Sequence, residues 1–258
     1  MNAIAGKIQT PMVNLLMSIA DDKLFLGHCN SDWTGLAPIL EADIAFSSLA
    51  QDDIAHASAL YDLIGSITGG VPDQIAFGRR AEEYYCCDLV TKRDGFNWAC
   101  AIAKQFYCNH FDYIRLQRLC DATWKPLASL SKRLLTEQAI HIDHVNSWVY
   151  HLGNGNDDST ARIQDALDEY APLAAMMFEE PAGLELLRSE GVLTHEDDIF
   201  EVWIQPVQDA VQDAGLNLHI DQMPVGVGGG RTGRHDADFD LALAELQEVF
   251  SQDPAAAW

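Results

Sequence analysis

The stretch from Ala37 to Ile64, APILEADIAFSSLAQDDIAHASALYDLI, constrains the rest of the chain most. It reads as one long helix, opened by Pro38 at its first turn, where a missing N–H costs nothing. Ile44, Leu49, Ile54, Leu60 and Ile64 are its apolar positions and predict a half-buried element. On the buried side stand two residues that do not belong among hydrocarbon, Asp53 and His56. Three positions apart on a helix, they point the same way.

Three further segments have the length and composition of long helices. One runs from about Pro11 to Asn30, with Val13, Leu16, Met17, Leu24 and Leu26 apolar and Asp21, Asp22 and Lys23 interrupting them. The link Ser31 to Pro38 is short, so the first two helices pack antiparallel. The breakers of GSITGGVP close the second helix, and Phe77 to Gly95 reads as a short helix plus a turn at Asp94-Gly95. A third long helix covers about Phe96 to Ala122. A fourth runs from about Trp124 to Leu152, stopped by Gly153-Asn154-Gly155.

The longest connection lies between the second and third helices. That spacing predicts an all-α chain built as a ferritin-like four-helix bundle with one crossover. Additional C-terminal helices are expected at Asp158 to Glu180, Glu196 to Leu216 and Asp236 to Phe250. The expected organisation is a single domain over 1–258, with the core bundle at about 11–152 and a helical extension at about 158–258.

The formal charge of −23, from 39 acidic and 16 basic residues, argues against nucleic acid and anionic membrane surfaces as partners. Six cysteines follow no metal-finger or disulfide-framework spacing, and Cys86-Cys87 is an adjacent pair, so buried thiols in a reducing compartment are expected. The first residues, MNAIAGKIQTPMV, lack the apolar run of a signal peptide, and no stretch is apolar for a bilayer's thickness. The expected location is cytoplasmic.

A carboxylate-x-x-His pair facing inward is half of a di-iron ligand set in such a bundle. The complete set takes one carboxylate from each of two helices and carboxylate-x-x-His from each of the other two. Here the second helix offers Asp53 and His56, the third offers Asn109 and Asp112, and the fourth offers His141. The expected metal positions are therefore Asp53, His56, Asp112 and His141. At the best-placed position of the first helix stands Lys23, and the partner three residues before His141 is the amide Gln138. Replacing carboxylates by an ammonium and an amide leaves two irons poorly compensated, so the site is read as vestigial and empty. Lys23 is expected to pair with Asp53 or Asp112 instead. The loop MPVGVGGGRTGRH carries Arg231, Arg234 and His235, read as a flexible segment that could grip a phosphate-rich ligand or remain solvated.

Several runs together resemble the C subunit of the bacterial ring-1,2-phenylacetyl-CoA epoxidases. They are Asp32-Trp33-Thr34-Gly35-Leu36-Ala37-Pro38 with Leu40-Glu41, and Ala50-Gln51-Asp52-Asp53-Ile54-Ala55-His56-Ala57. Further along are Ala103-Lys104-Gln105-Phe106, Phe111-Asp112, Glu137 with His141 and His144, and His151-Leu152-Gly153-Asn154-Gly155. The most distinctive are Gly229-Gly230-Arg231 with Gly233 and His235, Leu243-Ala244-Glu245-Leu246-Gln247, and the terminal Trp258. The resemblance implies a non-catalytic structural subunit with no cofactor of its own, scaffolding a homologous catalytic A subunit that holds the di-iron centre. It also implies help in binding phenylacetyl-CoA or a related CoA thioester, and a reductase component that feeds electrons to the partner. The other reading of the same residues is a stand-alone di-metal carboxylate oxygenase, with solvent completing the ligands of Asp53, His56, Asp112 and His141.

Overall fold

A computed structural model describes residues 6–220 and 224–254. Met1 to Ala5, Met223 of the Gly-rich loop and the terminal Trp258, all used above, lie outside the described residues. Among the described residues every regular element is helical, as the sequence predicts. In chain order the α-helices are α1 (Gly6–Ser31), α2 (Leu40–Thr68), α3 (Pro72–Phe77), α4 (Asp88–Thr91), α5 (Trp98–Leu119), α6 (Lys125–Gly153), α7 (Asp157–Met176), α8 (Leu184–Ser189), α9 (Ile199–Asp213) and α10 (Ala237–Gln247). No described helix is long and apolar enough to cross a membrane.

The chain falls into two compact units. The first comprises Met1–Arg93, Glu180–Leu187 and Gly228–Trp258; the second comprises Asp94–Glu179 and Arg188–Val227.

The first unit is built on α1 and α2. They run antiparallel: Gln9 Nε2 donates to Ile67 O at 3.2 Å toward one end, and Gly27 backs onto Ala50 toward the other. A Cβ at Gly27 would stand 2.9 Å from the Ala50 carbonyl oxygen, so only glycine lets the helices approach this closely. From Leu15 to Gly27 every residue of α1 is buried, which makes it the central helix of its unit. Pro11 falls inside α1 rather than at its start.

The second helix differs from its expected form at two points. It begins at Leu40, with Ile39 extended before it, so Pro38 lies in the link and not in the first turn. The link is held in turns of its own: Leu36 N donates to Trp33 O, and Gly35 N donates to Asp43 Oδ1 at 2.6 Å. The inward stripe is Phe46, Leu49, Asp53, His56, Leu60 and Ile64, spaced by three or four. Ile44 and Ile54 are off that stripe and are 62% and 41% exposed, contrary to expectation. The helix ends at Gly69, whose left-handed backbone (φ 77°) lets its N–H reach Gly65 O.

In the same unit, Phe239 of α10 packs on Phe25 of α1 with ring centroids 5.1 Å apart, and on Tyr84 at 6.0 Å.

The second unit repeats the plan with α5 at its centre, buried without interruption from Ala99 to Asp112. Asn97 caps it by accepting from Ala99 N. Antiparallel to it runs α6, opened by Pro126 in its first turn, and Trp98 meets Trp148 edge-on at 5.0 Å. Against these pack α7, opened by an Asn156–Ser159 capping box, and α9, capped by Asp198. Tyr107 donates to Leu167 O at 3.0 Å, and Trp203 closes this core against Phe178.

Candidate functional site

Three consecutive charged residues, Asp21, Asp22 and Lys23, sit in the fully buried part of α1, at 0, 5 and 0% exposure. Neighbours on a helix diverge by about 100°, so the three side chains leave the axis in different directions. Each finds an opposite charge supplied by a different segment.

Lys23 Nζ donates to Asp53 Oδ1 at 2.8 Å, and both side chains are fully buried. This is the first of the two partners its sequence context suggested. An ammonium therefore occupies the carboxylate that the inward pair of α2 presents. His56, 1% exposed, lies one turn further along the same stripe.

Asp21 is bound by the Arg79 guanidinium through both its oxygens, with one contact at 3.0 Å. Tyr61 Oη donates to it at 2.6 Å and Tyr85 N at 2.7 Å. Arg79 also stands 3.9 Å over the Tyr84 ring and donates to Glu83 O. Burial is the main reason the Tyr61 hydroxyl is pushed far above its usual range, with the adjacent Asp21 charge adding to it. Tyr61 therefore remains a donor.

Asp22 takes the Arg231 guanidinium as a fork, at 2.7 and 2.8 Å, and also accepts from Cys87 N at 2.8 Å. Arg231 donates further to Ser18 O and Tyr85 O. Burial opposes the charge on Arg231, but the Asp22 carboxylate and its hydrogen bonds outweigh that and hold the guanidinium more firmly protonated than usual. Grip on a phosphate-rich ligand and solvation were the two alternatives for this loop; Arg231 follows neither and is spent on an internal carboxylate. A Cβ at Gly230 would lie 2.1 Å from Cys86 O, and one at Gly233 would lie 2.1 Å from Glu82 O. The glycines serve close backbone packing, not mobility. His235 also turns inward, stacked on Phe239 at 3.8 Å, with its Nε2 donating to Tyr84 O at 3.0 Å. Arg234 remains exposed.

In the second unit the remaining predicted positions are also buried: Asp112 at 3%, Gln138 and His141 at 0%. Asp112 is bound by Arg115, one turn on in the same helix, whose guanidinium lies 4.9 Å over the Phe111 ring. Gln138 Nε2 donates to Asn109 O at 3.3 Å and to Asn109 Oδ1 at 2.9 Å. Asn109 Nδ2 passes the chain on to Gln105 Oε1 at 2.8 Å. Where a carboxylate-x-x-His motif would place acceptors, this unit has a directed ladder of amides. Among the described residues no group of three or more His, Cys, Asp and Glu side chains is arranged to hold a metal ion. Asp53 and His56 belong to the first unit, Asp112 and His141 to the second.

Sequence reasoning missed Arg79, Arg115 and Arg231 as the cations that answer these carboxylates. Arg115 carries a local signal, its three-residue spacing from Asp112. The other two come from segments with no periodic relation to α1.

The phenylacetic acid catabolic protein family matches residues 2–258. The chain belongs to that family. One relative, the C subunit of the 1,2-phenylacetyl-CoA epoxidase of Escherichia coli (strain K12), is 26% identical over 243 residues, covering 94% of this chain and 97% of the relative. In this member of the phenylacetic acid catabolic family, interior carboxylates are held by the Lys23 ammonium and by the guanidiniums of Arg79, Arg115 and Arg231.

Proposed function

We propose that the chain is a non-catalytic structural subunit of a multicomponent phenylacetyl-CoA epoxidase, scaffolding a homologous di-iron catalytic subunit and helping it bind a CoA thioester. In this reading α1, α2, α5 and α6 form a ferritin-like four-helix bundle within one domain, and the catalytic partner receives its electrons from a separate reductase. The assembly works in the cytoplasm.

The observation that carries the reading is the Lys23–Asp53 pair, 2.8 Å apart with both groups fully buried. A di-iron centre needs carboxylates whose charge is available to the metal. Here Asp53 is neutralised by an ammonium, Asp112 by Arg115, and Gln138 is an amide engaged as a donor. These residues do not fit a di-iron group, so no step of oxygen chemistry is assigned to this chain. The likeness to an epoxidase C subunit over nearly the whole length supports the partner and the substrate class.

The test is metal analysis of the isolated chain after growth with abundant iron, followed by co-purification with the catalytic subunit. The expected result is negligible iron, no epoxidation alone, and a stable heteromeric complex. Nearly two irons per chain, with oxygen-dependent optical bands, would replace this reading by that of a stand-alone di-metal oxygenase.

A further inference from the structure

The outward face of α2 opens with bulky apolar side chains where an exposed helix would ordinarily be polar. Leu36 and Ile39 of the link and Leu40 and Ile44 of the first turns are 56, 52, 69 and 62% exposed. At helical spacing the same face continues through Ser48, Gln51, Ala55 and Ser58, all exposed and none charged. Ile54, 41% exposed, flanks this continuation. From Leu40 to Ser58 the face spans about 27 Å at 1.5 Å per residue. Exposed bulky apolar side chains this close together along the chain are what an interaction site presents. Beyond it, Ser48, Ala55 and Ser58 are small and give a flat bed on which a second helix can lie close.

The charge around this face selects what can lie there. No lysine or arginine occurs between Lys23 and Arg79, whereas Asp32, Glu41, Asp43, Asp52, Asp53, Asp62 and Asp73 all do. Lys23, just before the stretch, is consumed by Asp53 inside the unit. Arg93, which reaches Asp32 at 3.6 Å, also binds Glu245 at 2.6 Å. The rim of the face, with Glu41 and Asp62 exposed, is therefore acidic. A second copy of this chain would set acid against acid. A different chain with an apolar helix face and a lysine- or arginine-rich rim would meet complementary charge.

We infer that the outward face of α2, centred on Leu40 and Ile44, is the docking surface for a heterologous protein chain with a basic-rimmed apolar helix. This rests on the proposed role above, in which that chain is the catalytic subunit. Charge steers the encounter and Leu40 and Ile44 anchor it.

The experiment measures affinity between the full-length chain and the catalytic subunit for the wild type, Leu40→Asp/Ile44→Asp and Glu41→Lys/Asp62→Lys. Ile140→Asp, on an exposed residue of α6 in the other unit, serves as control. Leu40→Asp/Ile44→Asp is expected to weaken binding by about 100-fold without lowering the melting temperature, because both residues are exposed. Glu41→Lys/Asp62→Lys should slow association at low salt, and Ile140→Asp should leave binding unchanged. Wild-type affinity retained in both double variants overturns the surface and leaves the proposed role standing. A wild-type chain that binds no catalytic subunit overturns both. A homodimer of the isolated chain that Leu40→Asp/Ile44→Asp dissolves overturns the heterologous occupant.

Discussion

Asp22 and Arg231, 209 positions apart in sequence, meet in the interior of the first unit through two near-parallel hydrogen bonds of 2.7 and 2.8 Å. The pair fastens the Gly-rich loop to the central helix. Breaking one side of a buried pair strands the other charge, at a cost of about 3–5 kcal/mol. Arg231→Met should therefore lower stability by about that much and release the loop. Limited trypsin digestion gives the check, with cleavage at Arg234 appearing in the variant well before the wild type is cut.

The same reasoning applies to Lys23. Lys23→Met leaves the Asp53 carboxylate buried without its ammonium and should cost about 3–5 kcal/mol, a fall of about 10 °C in a chain of this size. Replacing both residues, as Lys23→Met with Asp53→Leu, should recover most of the loss, since an apolar pair has no charge to strand. Thermal melts of the single and double variants decide it. A Lys23→Met variant that melts with the wild type would remove the pair's structural role.

Acid should destabilise the second unit through His110. Its Nε2 donates to Asn146 Oδ1 at 2.8 Å, and burial holds its pKa below the usual 6.5 while the hydrogen bond opposes in part. The unfolded chain therefore binds the proton more readily than the folded one. Stability is complete above about pH 6.5 and is lost as pH falls toward the depressed folded value, by about 1.4 kcal/mol for each tenfold difference in proton affinity. His144 in the same unit and His28 in the first unit, also lowered by burial, act in the same direction. Denaturant titrations between pH 7.5 and 5 should show the decline, less steep in His110→Gln.

Thiol chemistry should separate the six cysteines. Burial pushes Cys87 up to about 12 and Cys86 well above its usual value, and both side chains are inaccessible. Cys120 alone among them is partly exposed. A disulfide reagent at mild alkaline pH should modify Cys120 first. Cys86 and Cys87 should react only at the rate of unfolding, which mass spectrometry of the labelled peptides reads directly.

The long helices were legible because their signals are local: apolar spacing, glycine and proline at the ends, and polar residues where the period demands burial. For Lys23 the sequence narrowed the partner to Asp53 or Asp112, and the structure gives it Asp53. The partners of Asp21 and Asp22 were not legible, since Arg79 and Arg231 lie on short irregular segments whose positions depend on tertiary packing. Counting isoleucines misplaced Ile44 and Ile54, because residue type alone does not fix which helix face turns inward. The Gly-rich loop misled for a related reason. Glycine signals permission for close approach as readily as freedom to move, and only Cys86 O and Glu82 O beside Gly230 and Gly233 distinguish the two.

The run Asp21-Asp22-Lys23 also works as a key that admits α1 in one position. Displace the helix by one residue in one direction and Asp22 faces Asp53, while Ala20 comes before Arg79. Displace it the other way and Lys23 confronts Arg231, while Leu24 leaves Asp53 without a cation. Hydrocarbon side chains would forgive either error, since one greasy contact resembles the next. Here either misassembly carries two faults, so these buried charges enforce fidelity as the chain folds.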